Sequence, residues 1–190
     1  MEFLRRISRI LAADDPALPD LRRLEVAGQL VLLPLGGNGP QPWIQQLASL
    51  GKSTFFLFDR EMPPESEQRQ ASVSQLNADV RCRAFVTKKR SLENYLHSQA
   101  IYEAYGIQLR FGDDDAVAEL AARQLLLRKG IAADWITFPS RVRKRLRDQA
   151  KRWLNREAVD RMTPARLAER DRGGEVRHWL HTIGQRVSPH

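Results

Sequence analysis

The sequence predicts an α/β fold, with a small parallel sheet flanked by helices and followed by a basic, all-helical region. Between residues 28 and 87, apolar runs and helical patterns alternate in the order strand, helix, strand, helix, strand, which is typical of a parallel sheet. Those runs lack polar alternation, as expected for strands covered on both faces. From residue 112 onward all segments have helical spacing. We therefore expect an α/β domain over 1–111 and a helical basic extension over 112–190.

The predicted elements of the first domain follow from runs and spacings of apolar residues. The strands are expected at 28–37, 53–61 and 80–87. The helices are expected at 2–13, 40–50, 65–77 and 98–105. The first helix buries the apolar face formed by Phe3, Ile7, Ile10 and Leu11, and Asp14-Asp15-Pro16 ends it. Residues 18–27 form either a connection or a second, poorer helix.

The helices of the basic extension are expected at 116–129, 141–156, 164–171 and 175–183. Residues 1–139 hold 17 basic and 17 acidic side chains, whereas residues 140–190 hold 14 and 6. The whole excess of positive charge, which gives the chain its net +8, therefore lies in the last quarter. Such a local excess suggests a polyanionic partner.

The densest basic segment is the helix predicted at 141–156. Its apolar stripe consists of Val142, Leu146, Ala150, Trp153 and Leu154. Its cationic residues are Arg141, Arg143, Lys144, Arg145, Arg147, Lys151 and Arg152. One interpretation is a solvated amphipathic helix docked by its stripe, and the other is a face that binds DNA phosphates. The narrow apolar face argues against a helix lying on a membrane surface.

Composition excludes several classes of protein. The single cysteine, Cys82, rules out a disulfide framework and a multi-thiolate metal site. No apolar run approaches the roughly 20 residues of a membrane span. Charged residues appear within the first six positions and no apolar core follows them, so we expect no secretion signal and a cytoplasmic protein.

Polar residues follow each predicted strand, at the edge where α/β sheets bind ligands. Gly36-Gly37-Asn38-Gly39 is predicted to form a tight turn. The turn either has no further role or lets the phosphate of a ligand approach the backbone. Asp59 and Glu61 are two residues apart, so on an extended backbone both carboxylates point to one side. Two carboxylates at the rim of a sheet suit Mg²⁺ or Mn²⁺, although solvated loop charges would have the same sequence.

The third strand is followed by Lys88, Lys89 and Arg90, and then by SLENYL. If SLENYL begins a helix, Ser91 is its N-cap and Glu93 lies in the first turn near the sheet rim. Helix capping beside a solvated basic cluster explains these residues as well as a functional site does.

Three other patterns do not predict sites. Gly51-Lys52-Ser53-Thr54 resembles the end of a P-loop, but Gln46 replaces the required glycine and a strand follows, so we expect no ATP site. The aspartates 113–115 could bind a metal ion, but they precede a helix, where capping is the favoured interpretation. His178 and His181 are one helical turn apart without an evident third zinc ligand.

The segments LPLGGNGPQPW, FFLFDRE and FVTKKRSLENYLH together resemble the Toprim domain of OLD-type (overcoming-lysogenization-defect) ATP-dependent endonucleases. The resemblance covers roughly residues 2–110, and the basic remainder is similar to the C-terminal extension of such proteins. It implies a small parallel sheet between helices that holds one or two Mg²⁺ or Mn²⁺ ions and cuts or nicks DNA. The family's first strand, with its metal-binding glutamate, and its N-terminal ATPase would precede Met1.

The resemblance also implies roles for particular residues. Asp59 and Glu61 would be the metal-binding acidic pair, and Glu93 a further acidic residue of the catalytic site. Lys89 or Arg90, with Lys88 a weaker candidate, would contact the scissile phosphate. Two functions from different classes follow: a metal-dependent DNA endonuclease or nickase, or a catalytically impaired fragment that binds DNA or a partner, such as a separate ABC-type ATPase chain.

Overall fold

The computed structural model describes residues 1–34, 47, 52–131 and 134–187. Its strands are β1 (Thr54–Phe58) and β2 (Cys82–Val86). Its helices are α1 (Glu2–Asp14), α2 (Leu21–Val26), α3 (Glu65–Leu76), α4 (Ser98–Tyr105), α5 (Val117–Arg128), α6 (Ser140–Trp153), α7 (Pro164–Arg170) and α8 (Glu175–Val187). Shorter turns of 3₁₀ or π helix are Leu92–Tyr95, Trp135–Thr137, Leu154–Ala158 and Val159–Arg161. The described part of the chain is therefore mixed α/β, as predicted, and mostly helical.

The two described strands form a parallel pair, which confirms the predicted orientation. Thr54 lies opposite Cys82 and Phe58 opposite Val86. The connection between the strands contains α3, which packs against β2 and covers a small apolar cluster. That cluster consists of the buried residues Phe56, Phe58, Val73, Leu76 and Ala84. The parallel arrangement places the carboxyl ends of both strands at one edge of the sheet.

The strand predicted at 28–37 is wrong for its described part, because residues 28–34 form no strand. Leu30 and Leu32 pack against the main core, whereas Val31 is 73% exposed and Leu33 is 41% exposed. The apolar run at 28–34 therefore belongs to a segment that packs in part on the core and forms no strand. The rest of that strand and the glycine turn Gly36–Gly39 lie outside the described residues. Of the helix predicted at 40–50 only Leu47 is described, and it is helical.

The main core joins residues from both predicted domains. Phe3, Ile7 and Leu11 of α1 belong to one buried cluster with Trp179 and Leu180 of α8. The boundary between 1–111 and 112–190 stays a prediction, but the two segments share one hydrophobic core.

The predicted helices of the second half agree with the structure, except at the ends of two of them. The basic helix is regular to Trp153 and continues as a π turn to Ala158, where Trp153, Leu154 and Ala158 are buried. The last helix extends to Val187, four residues beyond its predicted end. None of the described helices is both long and apolar enough to cross a membrane.

Candidate functional site

Asp59 immediately follows β1, at the carboxyl edge of the sheet. Its Oδ1 accepts a hydrogen bond of 3.1 Å from the backbone N–H of Leu92, in the segment that follows β2. Asp59 as a whole residue is only partly buried, but the surrounding protein removes water from its carboxyl group. This burial, reinforced by the negative charge of Glu93, raises the pKa of Asp59 to about 7, although Lys151 lowers it.

Glu93 lies in the 3₁₀ turn Leu92–Tyr95 and is 97% buried. The turn is stabilised at its start, where the Oδ1 of Asn94 accepts hydrogen bonds from both the N–H and the hydroxyl of Ser91. Ser91 is thus the N-cap and Glu93 is in the first turn near the sheet rim, as the sequence predicted. The hydrogen bond from Leu92 to Asp59 joins this turn to the end of β1, and the negative charge of Glu93 contributes to the raised pKa of Asp59.

Two residues near the C-terminal end of the basic helix reach Glu93. The Nδ2 of Asn155 donates a hydrogen bond of 2.6 Å to its Oε1. The Nζ of Lys151 lies 3.9 Å from its Oε2, which is buried and accepts no hydrogen bond from the described residues. The negative charge of Glu93 is also the main cause of a raised pKa of Lys151. No local pattern predicts this contact, because Lys151 lies 58 positions after Glu93 in the chain.

Glu61 approaches the same region by a different backbone path from the one predicted. The strand ends at Phe58, and Glu61 has a left-handed φ of 57°. The extended backbone expected between Asp59 and Glu61 is therefore absent. The negative charge of Glu61 nevertheless contributes to the raised pKa of Asp59. Its N–H donates a hydrogen bond of 2.9 Å to the carbonyl of Arg90, which fixes it beside the end of β2.

The basic residues after β2 point to other partners. Lys89 is buried, forms an ion pair with Asp113 and lies 5.5 Å above the ring of Tyr95. Arg90 donates a hydrogen bond of 3.2 Å to the carbonyl of Asp114, and Lys88 is exposed. Among the residues predicted to contact a phosphate, Lys151 is the one that the structure places beside Glu93.

The aspartates 113–115 do not cap a helix, so that prediction is wrong. Helix α5 begins at Val117 after Ala116, and no side chain caps it. Asp113 pairs with Lys89, and Asp114 forms an ion pair with Arg60. Asp115 instead accepts a hydrogen bond of 2.7 Å from the N–H of Gly112. These carboxylates tie the segment before α5 to the ends of both strands.

Helix α6 buries the predicted apolar stripe and exposes its positive charge. Ala150 and Trp153 are buried, while Val142 and Leu146 are partly buried. The exposed cations are Arg141, Lys144, Arg145, Arg147 and Arg152, and the partly buried ones are Arg143 and Lys151. Lys144 and Arg147 form ion pairs with Asp148 and Glu119, at 2.9 and 3.5 Å. The remaining exposed arginines of α6 have no ion pair within the described ranges.

The described residues contain no group of three or more His, Cys, Asp and Glu side chains arranged to hold a metal ion. Comparison of the chain with protein-family models, curated proteins and solved structures finds no match. The function must therefore be inferred from the geometry of this chain, in which the partly buried Asp59 and the buried Glu93 lie near the sheet edge and Lys151 and Asn155 contact Glu93.

Proposed function

We propose that this chain binds DNA along α6 and cleaves a phosphodiester bond with a divalent cation held by Asp59 and Glu93. One observation carries the proposal. Asp59, directly after β1, accepts a hydrogen bond of 3.1 Å from the N–H of Leu92, and the adjacent Glu93 lies 3.9 Å from Lys151 of the basic helix. A DNA backbone that follows the exposed arginines of α6 would pass close to both acids.

The carboxylate pair fits Mg²⁺ or Mn²⁺. Mg²⁺ in phosphate-processing sites is usually held by only one or two carboxylates, and water and substrate phosphates complete its coordination. The Oε2 of Glu93 is buried without a hydrogen-bond donor in the described part of the chain. Burial and the proximity of Glu93 disfavour the ionised form of Asp59, so an added positive charge would stabilise the pair. Glu61, which the resemblance also assigned to the metal, does not form a three-carboxylate group with Asp59 and Glu93 in the described part of the chain.

The side chains of this chain have distinct roles in the proposal. A bound divalent cation would supply Lewis-acid polarisation of the phosphate. Asp59 and Glu93 fix its position, and Lys151 keeps a positive charge where the phosphate arrives. Lys89 and Arg90, which the resemblance assigned to the scissile phosphate, would first have to leave Asp113 and the carbonyl of Asp114.

The test is nicking of supercoiled plasmid by the 190-residue chain with Mg²⁺ or Mn²⁺, and with EDTA. The proposal expects nicking that EDTA abolishes and that Asp59→Asn lowers at least about 100-fold, as for loss of an important electrostatic group. Glu67→Gln is the control, since it removes an exposed carboxylate from α3. Metal-independent nicking, or equal activity of Asp59→Asn and Glu67→Gln, would contradict the proposal.

A second candidate function is DNA binding without cleavage. Lys151 and Asn155 already contact both oxygens of Glu93, so the acids also serve to anchor the basic helix. This function predicts DNA binding that survives Asp59→Asn and no nicking in any metal. A gel-shift titration beside the nicking assay distinguishes the two candidates. The separate ATPase chain implied by the resemblance belongs to this second proposal, as a partner that would restore activity when added.

A further inference from the structure

An open cavity lies on another part of the surface. It is about 490 Å³ in volume, within the roughly 300–1,000 Å³ of small-molecule sites. The start of α4, the segment 109–111 and the end of α7 surround it. Its lining residues are His97, Ser98, Leu109, Arg110, Phe111, Glu169, Arg170 and Arg172.

The lining carries more positive than negative charge. It contains three arginines and one carboxylate, Glu169, whose Oε2 lies 3.1 Å from the Nε2 of His97. Arg110 and Arg172 are exposed and form no ion pair with any residue that the structure describes. Two guanidinium groups thus have donors available for an anion in the cavity.

Arg170 gives the cavity a fixed wall. Its Nη2 donates a hydrogen bond of 2.8 Å to the carbonyl of Asn94, and its guanidinium lies 4.8 Å above the ring of Phe111. Leu109 adds an apolar side chain to the same lining. A planar apolar group can therefore pack against this wall while a negative group reaches the other two arginines.

We propose that this cavity binds a nucleotide, with its phosphate between Arg110 and Arg172 and its base against Leu109, Phe111 and Arg170. Guanidinium groups bind phosphate through paired, charge-assisted hydrogen bonds. Arginine and aromatic side chains stack with bases without reading their sequence. The cavity contains none of Asp59, Glu61 and Glu93 and no residue of α6, so the proposal is independent of the proposed nuclease.

The test is isothermal titration calorimetry of the full chain with AMP and with adenosine, in EDTA. AMP is expected to bind and adenosine to bind at least tenfold more weakly. The double variant Arg110→Ala/Arg172→Ala is expected to weaken AMP binding at least about tenfold. The matched control, Arg22→Ala/Arg83→Ala, removes the same charge from exposed positions of α2 and β2 and is expected to change the affinity less than twofold.

A second variant excludes misfolding as the cause of lost binding. Glu169→Gln removes the one carboxylate in the lining and is expected to strengthen AMP binding about threefold. The dinucleotide ApA distinguishes a phosphate within a nucleic-acid strand from the phosphate of a free or terminal nucleotide. If ApA binds as tightly as AMP, the cavity accepts a strand. If AMP binds more tightly, the cavity prefers a free or terminal nucleotide.

Three results would overturn the nucleotide proposal. They are absence of AMP binding, equal affinity for AMP and adenosine, and equal losses in the cavity variant and the Arg22→Ala/Arg83→Ala control. The calorimetric measurement needs neither a metal ion nor DNA cleavage. The nucleotide proposal can therefore fail while the nuclease proposal succeeds, and the nuclease proposal can fail while the nucleotide proposal succeeds.

Discussion

The unusual residue of this protein is Asp59, a carboxyl group deprived of water beside a second carboxylate. Burial is the largest cause of its raised pKa, and Glu93 and Glu61 add to it. The positive charge of Lys151 acts in the opposite direction and favours the charged form of Asp59. Negative charge therefore accumulates at the sheet edge without complete compensation, as is common at functional sites.

The raised pKa of Asp59 predicts the pH dependence of stability. The pKa rises from 3.8 to about 7 on folding, so the folded state holds this proton more tightly than the unfolded state. The contribution of Asp59 to the free energy of unfolding therefore falls as the pH rises from about 4 to about 7. Asp59→Asn should stabilise the protein by on the order of 2 kcal/mol at pH 8 and change it little at pH 4.

Urea unfolding followed by circular dichroism, in EDTA at pH 4, 6 and 8, measures this difference. If the free energy of unfolding differs by the same amount between the unsubstituted chain and Asp59→Asn at all three pH values, the pKa of Asp59 is not raised on folding.

Asn155 is the second residue with a measurable effect. Its amide donates the 2.6 Å hydrogen bond to Glu93, which is almost fully buried. Asn155→Ala leaves that oxygen without a donor and should lower the free energy of unfolding by about 1–3 kcal/mol. Gln149→Ala, at an exposed position of α6, is the control and should stay within about 0.5 kcal/mol. Equal unfolding midpoints in urea for the two variants would contradict this account.

At the scale of elements, α6 has two functions on two faces. Its buried stripe and the following π turn hold it on the core, while its exposed face carries most of the arginines of the segment. Because Lys151 and Asn155 lie near its C-terminal end, the position of the helix also determines the surroundings of Glu93.

Neutralising the exposed face of α6 should weaken DNA binding in a salt-dependent way. Arg145→Ala/Arg152→Ala would remove two of the proposed phosphate contacts. The slope of log affinity against log salt concentration is negative, and its magnitude should fall by about 1.8. Arg22→Ala/Arg83→Ala removes equal charge from α2 and β2 and should leave that slope unchanged. Fluorescence anisotropy with a labelled duplex at several salt concentrations gives both slopes. Identical slopes for the two variants would mean that α6 does not contact the phosphates.

At the scale of the whole molecule, the two predicted segments depend on each other for burial. The ring of Tyr95 packs edge-on against Trp179 at 5.4 Å, and Tyr105 packs against Trp153 at 4.0 Å. Ion pairs of Arg177 with Asp14 and Asp15 link α8 to the end of α1. The carboxylate site is likewise shared, because Lys151 comes from the second segment.

A chain that ends at residue 111 should therefore not fold. It exposes Tyr95, Tyr105 and the inner face of α1, which pack in the full chain on the buried cluster that contains Trp153 and Trp179. We expect a broad thermal transition by circular dichroism, in contrast to the cooperative transition of the full chain. Cooperative unfolding of the shortened chain would show that residues 1–111 form an autonomous domain.

Local patterns were sufficient for much of this structure. The spacing of apolar residues predicted α1 and α4 almost to the residue, since helical periodicity depends only on neighbours in the chain. The same patterns failed over 28–34, where an apolar run packs on the core without pairing in the sheet. They also failed at 113–115, because Asp113 and Asp114 form ion pairs with Lys89 and Arg60 and Asp115 binds the N–H of Gly112, so none of them caps α5.

The sequence by itself determined the parallel strand pair, the helices and the concentration of positive charge on α6. It also indicated that Asp59 and Glu93 belong to one edge of the sheet. Only the tertiary structure decided that Lys151 and Asn155 are the partners of Glu93, while Lys89 turns to Asp113. The physical reason is that periodicity and strand ends are properties of adjacent residues, whereas the neutralisation of a buried charge depends on which distant side chains the packed core brings to it.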